Sequence, residues 1–233
     1  MPKTKLLHAP RRSPAATREM LVGGLGIVGV VLAGVGVATV GGNLPFGLDQ
    51  AWHDVLAAHR FPAAGAIAGA LHVIGGTLVM TILTVLVVVV FLLMRRFRAA
   101  ITVALAMALS AGISTVLKAA LARPRPSDGI VDTASNAFPS GHATAAAAIT
   151  IALLIALPRT WTRVLAVVWI TLMALSRNYL LVHWLSDVIA GAVLGASAAL
   201  LVSGVMRLFL KEPSLPGAGI PGERQAASTS LTS

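Results

Sequence analysis

The chain has 233 residues, 57% of them hydrophobic and 11% charged, with a mean hydropathy of +0.87. That balance excludes an ordinary soluble domain and points to an all-α protein that crosses a membrane several times. There is no cysteine, hence no disulfide framework or thiolate metal site. The net charge of +10 sits mostly at the ends of apolar runs, which reads as membrane topology and not as a nucleic-acid surface.

Taken in order, a basic segment carrying Lys3, Lys5, Arg11, Arg12 and Arg18 precedes an uncharged run from Met20 to Val40, long enough to span a bilayer. The run exceeds a usual signal-peptide core and lacks a clear Ala-x-Ala site, so it reads as an uncleaved first helix. Leu48 to Arg60 places Leu48, Trp52, Val55, Leu56 and His59 at helical spacing, with Asp49, Asp54 and Arg60 mostly elsewhere. This predicts a short amphipathic helix at the membrane interface. The next four apolar runs predict spans at about Ala70 to Met94, Ala99 to Leu121, Ala143 to Leu157 and Val164 to Leu181, and a sixth follows at Val188 to Leu210. His72 falls near the outer end of the second span and reads as a hydrogen-bonded helix-end histidine. Gly191 and Gly195, four apart, predict close helix packing. The expected organisation is a basic cytoplasmic tail over 1–19, a six-helix membrane domain over 20–211 and a disordered tail over 212–233 rich in Pro, Gly, Ser and Thr.

Basic residues set the orientation. Lys3, Lys5, Arg11, Arg12, Arg18, Arg95, Arg96, Arg98, Arg159, Arg163, Arg207, Lys211 and Arg224 fall on one side, against Arg60, Lys118, Arg123, Arg125 and Arg177 on the other. The positive-inside rule then puts both termini in the cytoplasm and the second group on the outer face.

Three clusters share that outer face. Lys118 ends a predicted helix and is followed by Arg123-Pro124-Arg125-Pro126, where the prolines hold the arginines in an extended loop; membrane-interface snorkelling is the alternative reading. Phe138-Pro139-Ser140-Gly141-His142 precedes the fourth span, so backbone N–H groups at a helix N-terminus can face an anion with His142 beside it. Alternatively, Ser140 is only a helix cap. Ser176-Arg177 and His183 to Asp187 complete the set. A helix from about Leu181 would put His183 and Asp187 on one face as i and i+4 neighbours, the carboxylate accepting one imidazole N–H and leaving the other nitrogen as a nucleophile. A charged set bordering hydrocarbon is costly unless it functions.

Lys118 with Arg125-Pro126, Pro139-Ser140-Gly141-His142, and Ser176-Arg177 with His183 and Asp187 together resemble the three signature motifs of the type 2 phosphatidic acid phosphatase superfamily, over roughly residues 20–210. The resemblance implies a membrane-bound lipid phosphatase. In it His183 attacks phosphorus to form a phosphohistidine, Asp187 orients its ring, and His142 protonates the leaving oxygen and then activates water. Lys118, Arg125, Arg177, Ser140 and the Gly141 amide bind the phosphoryl oxygens, with Arg123 as an auxiliary. It implies no metal and no other cofactor, the cations supplying the charge stabilisation, and as partners a phosphorylated lipid and the bilayer, not nucleic acid. The lipids the family acts on include polyprenyl diphosphates, phosphatidic acid and phosphatidylglycerophosphate. Phosphoryl or headgroup transfer to another acceptor, or lipid binding without catalysis, are the alternatives. One departure stands out: Leu181 occupies a place where many relatives carry glycine, and is expected to crowd the pocket.

Overall fold

A computed structural model describes residues 13–210; most of the predicted basic tail and the whole of the predicted C-terminal tail lie outside them. The described residues form eight helices and no strand: α1 (Pro14–Thr39), α2 (Gly47–Ala58), α3 (Pro62–Ile74), α4 (Thr77–Leu93), α5 (Phe97–Leu121), α6 (Gly141–Ala156), α7 (Thr160–Tyr179) and α8 (Leu185–Phe209). Their limits follow local chemistry. Pro14 and Pro62 open α1 and α3, where a missing N–H costs nothing. At the end of α5, Ala122 turns left-handed (φ 49°) ahead of Arg123-Pro124, which cannot continue a helix.

By length and composition α1, α5 and α8 can each cross a membrane, and α3 and α4 make a fourth candidate span bent by 57°. The sequence predicts one straight second span over Ala70 to Met94; instead the apolar run breaks at Gly75-Gly76. Gly75 explains the break. A side chain there would meet Met173 Sδ at 2.6 Å and His142 Cδ2 at 2.8 Å, so glycine lets the chain pass this close to α6 and α7 without displacing either side chain. α6, with 16 residues, falls short of a full span by the same measure.

α6 and α8 form the most extensively packed pair, with α1 on the other side of α8 and α5 lying against both α6 and α8. The predicted glycine contact is present. A Cβ on Gly191 would lie 2.5 Å from the Ser140 carbonyl, and one on Gly195 would press still closer on the Thr144 carbonyl. Small residues on α6 and α8 (Ala143, Ala146, Ala147, Ala198, Ala199) are fully buried, and dispersion contacts across such a seam hold helices together where lipid offers no hydrophobic drive. α2 packs on α7 and α8. Its Asp49, assigned by periodicity to the polar face, is instead 2% exposed, because it lies against the start of α8.

Candidate active site

A cavity of about 670 Å³ opens between α4, α5, α6 and the loops above them, and its walls include Lys118, Arg125, Gly141, His142, Arg177 and His183. Residues from all three sequence clusters therefore meet in one space. Asp187, Ser140 and Arg123 do not line it; they lie buried behind the lining residues.

His183 is 3% exposed and belongs to the loop before α8, not to the helix. The expected i, i+4 helical face is therefore corrected. α8 starts only at Leu185, and the two side chains meet because Asp187, three residues past the cap, folds back over the helix start. Its Oδ2 accepts the Trp184 N–H at 2.9 Å and lies 3.4 Å from His183 Nδ1. The other ring nitrogen, Nε2, is 3.0 Å from Arg125 Nη1. A guanidinium only donates, so Nε2 carries the lone pair, which accepts from Arg125, and Nδ1 carries the proton toward Asp187. Asn178 fixes the backbone beside it by donating to the His183 carbonyl at 2.8 Å. Burial holds the His183 imidazole well below its ordinary pKa, and Arg125, Lys118, Arg177 and His142 push it the same way. The ring is accordingly neutral.

The cations are held by backbone oxygens. Lys118 Nζ donates to the Asn136 carbonyl at 2.5 Å while the Asn136 amide returns a bond to the Lys118 carbonyl at 2.8 Å. Arg125 donates to the carbonyls of Ser135 at 2.6 Å and Val182 at 2.5 Å. Burial lowers the pKa of Arg125, opposed by the charge of Asp187, but a guanidinium stays protonated. Arg177 is 1% exposed. Its Nη1 bonds His72 Nδ1 at 2.8 Å, and its Nε has no partner. Ser140 Oγ, also buried, is likewise unpartnered beside the N-terminus of α6. Buried donors of this kind are costly unless something satisfies them, and oxygens of an anion would do so.

Two residues in or behind this site were not legible as such in the sequence. His72 reads as a helix-end histidine but lines the cavity and stacks on His142, with ring centroids 5.3 Å apart and 17° between planes. Its carbonyl accepts from His142 Nε2 at 3.1 Å, which leaves Nδ1 as the nitrogen of His142 able to exchange a proton. The available signal was a histidine inside an apolar run next to a Gly-Gly break. Asp49 gave no signal; its role depends on a contact 137 residues away in the chain. Two expectations change. Arg123 is fully buried between Asp49 and Asp187, at 2.8 and 2.6 Å, so it faces no substrate. Leu181 does not line the cavity. Its φ of 54° lies in the left-handed region, which accounts for glycine at this place without any crowding of the pocket. Among the described residues, no three His, Asp or Glu side chains gather as metal ligands.

The PAP2 superfamily model matches residues 99–210. No curated protein matches the chain significantly. Among solved structures, a transmembrane PAP2 type phosphatidylglycerolphosphate phosphatase from Bacillus subtilis superposes with a TM-score of 0.72 at 22% identity, covering 83% of this chain and 100% of that one. LpxE from Aquifex aeolicus superposes with a TM-score of 0.59 at 22% identity over 71% of this chain and 97% of that one. At such identity these likenesses establish a shared fold.

Proposed function

On the match of residues 99–210 to the PAP2 superfamily model, we propose that the protein is a metal-independent membrane lipid phosphatase of that superfamily. The observation that carries this reading is the convergence of Lys118, Arg125, Arg177, Gly141, His142 and His183 on one cavity. A site that merely bound an anion would need the cations but would have no use for a neutral, oriented imidazole. The name of one of the solved structures, a phosphatidylglycerolphosphate phosphatase, agrees with a lipid substrate.

In this mechanism a phosphoryl group enters between Arg125 and His183, and its oxygens take over donors of Lys118, Arg125 and Arg177 and the Gly141 amide. The Nε2 lone pair of His183 attacks phosphorus in line with the leaving oxygen. As the P–O bond breaks, His142, protonated beside the bound anionic phosphoryl group, gives that oxygen a proton. The ring of His183 now carries a positive charge, balanced by Asp187 at Nδ1. His142, neutral again, accepts a proton from water; the hydroxide attacks phosphorus, the P–N bond breaks, and its electron pair returns to Nε2. Spreading the transition-state charge over preorganised cations is the main source of acceleration, and losing one of them costs on the order of 10²–10³-fold in rate. Candidate substrates are polyprenyl diphosphate, phosphatidic acid and phosphatidylglycerophosphate.

The proposed topology has six crossings with both termini cytoplasmic, the cavity open to the outer face and α2 along the interface. α6 is about 24 Å long at 1.5 Å per residue, short of the ~30 Å hydrocarbon core. A start below the outer surface makes up the difference and sinks His142 with it. The cysteine-free chain makes this easy to check. Ser127→Cys should react with a membrane-impermeant maleimide added outside intact cells, and Thr160→Cys should react only after lysis. The reverse pattern would invert the topology.

The functional test is phosphate release by the purified full-length protein in detergent, with EDTA present, on the three lipids above. Release that survives EDTA and disappears in His183→Ala supports the reading; equal release from the variant, or none from the parent protein, rejects it.

A further inference from the structure

Behind the nucleophile, away from the cavity, four side chains form one continuous buried line: His183, Asp187, Arg123 and Asp49. Asp187 Oδ1 accepts from Arg123 Nη1 at 2.6 Å, and Asp49 Oδ2 accepts from Arg123 Nη2 at 2.8 Å. The side chains of Arg123 and Asp187 are 0% exposed and that of Asp49 is 3% exposed. Asp49 also accepts the Ser186 N–H at 2.8 Å and the Ser186 hydroxyl at 2.7 Å. Ser186 lies in the first turn of α8, one residue before Asp187. One carboxylate from α2 thus grips both the arginine that holds Asp187 and the helix turn that carries it.

We infer that Asp49 is a positioning residue for the phosphoryl-transfer site, acting through Arg123 and Asp187 to keep one uncompensated negative charge behind His183. Two carboxylates share a single guanidinium, so the cluster carries a net charge of −1. When His183 takes the phosphoryl group its buried ring becomes cationic, faced by Lys118, Arg125, Arg177 and His142, with Asp187 the carboxylate beside its Nδ1 and Asp132 elsewhere on the cavity wall. Without Asp49, Arg123 and Asp187 form a neutral pair, and the imidazolium loses its net counter-charge just where Coulomb interactions are least screened. A dry charge triad is poor evidence for stability in itself. Its placement one side chain behind the nucleophile gives it a catalytic reason.

The inference rests on the phosphatase reading, and the experiment separates the two. Phosphate release is followed on one lipid substrate by the full-length protein and by Asp49→Asn, which keeps the shape and one acceptor but removes the charge. Comparing variants on a single substrate cancels the ionisation of the phosphate itself. No release by the parent protein defeats the phosphatase reading, whatever the variant does. With an active parent, kcat of Asp49→Asn should fall about tenfold to a hundredfold, the range seen when outer partners of a reacting side chain are removed, with KM changed less than about threefold. The acid limb of kcat/KM should move to lower pH, because taking away a negative charge disfavours the imidazolium form of His183. Arg123→Gln should move the limb the opposite way. A limb that stays in place, or moves the same way in both variants, overturns the inference and leaves Asp49 a fold anchor. Where Asp49→Asn does not fold, Asp49→Glu serves: it keeps the charge, so its limb should remain at the parent's pH, and a displaced limb overturns the inference equally.

Discussion

The α6–α8 pair and the α3–α4 arm both reach the cavity, yet they are built in opposite ways. In α6 and α8, glycine and alanine bring backbones into direct contact, and the Ser140 N–H is bonded to the Asp187 carbonyl at 3.0 Å. That pair carries His142 and Asp187 and, through the turn before α8, positions His183. The α3–α4 arm has only Ala68, Met80 and Phe91 buried among its side chains of α3 and α4, and meets the site through His72 and Gly75 beside its bend. The groups proposed to react sit on or beside the tightly packed pair, where small misplacements are prevented.

The largest break in this contrast should come from Gly195→Leu. Its side chain has no room against the Thr144 carbonyl, so α6 and α8 must separate. Phosphate release should fall to background and the melting temperature in detergent should drop by roughly 2–12 °C, from an overpacking cost of about 1–3 kcal/mol or more. Retained activity would show that the seam does not set the site.

An acid test of the same region comes next. The folded protein keeps His183 neutral, its pKa lowered by burial and then by Arg125, Lys118, Arg177 and His142. Below about pH 6.5 the unfolded chain takes up a proton that the folded one does not. The favourable contribution is therefore complete above pH 6.5 and is lost as pH falls toward the folded pKa, with a slope of up to about 1.4 kcal/mol per pH unit. Denaturant titrations should show that slope shrinking in His183→Gln; an unchanged slope would assign it to other groups.

On the arm, His72→Ala should lower kcat/KM about tenfold by freeing Arg177 from its partner and removing the ring stacked on His142, whose bond to the residue 72 carbonyl remains, with a melting temperature near that of the parent. A large loss of stability instead would mean that the arm is as rigid as the pair. Leu181→Gly should do least. Relief of the left-handed conformation, about 1 kcal/mol, opposes the loss of a side chain that is 2% exposed, a cost of about 1.5–3 kcal/mol. Activity should stay within about threefold, because the side chain does not line the cavity.

Much of this protein was open to reading from its amino acids alone. Apolar runs of 20 or so residues can only be satisfied as helices in a membrane, so the all-α class and most helix positions followed. Lys118, Arg125, His142, Arg177 and His183 were singled out because three clusters on one predicted face together resemble the superfamily's signature motifs, and the structure brings these five side chains to one cavity. Only the tertiary structure decided the break at Gly75-Gly76, the entry of His72 into the site, the burial of Arg123 away from the cavity and its capture by Asp49. Each depends on residues far apart in the chain meeting at one place: Asp49 finds Arg123 across 74 positions, and Arg177 finds His72 across 105. Periodicity reports which face of a helix is apolar; it does not report which distant partner makes burying a charge worthwhile, because that is settled by packing.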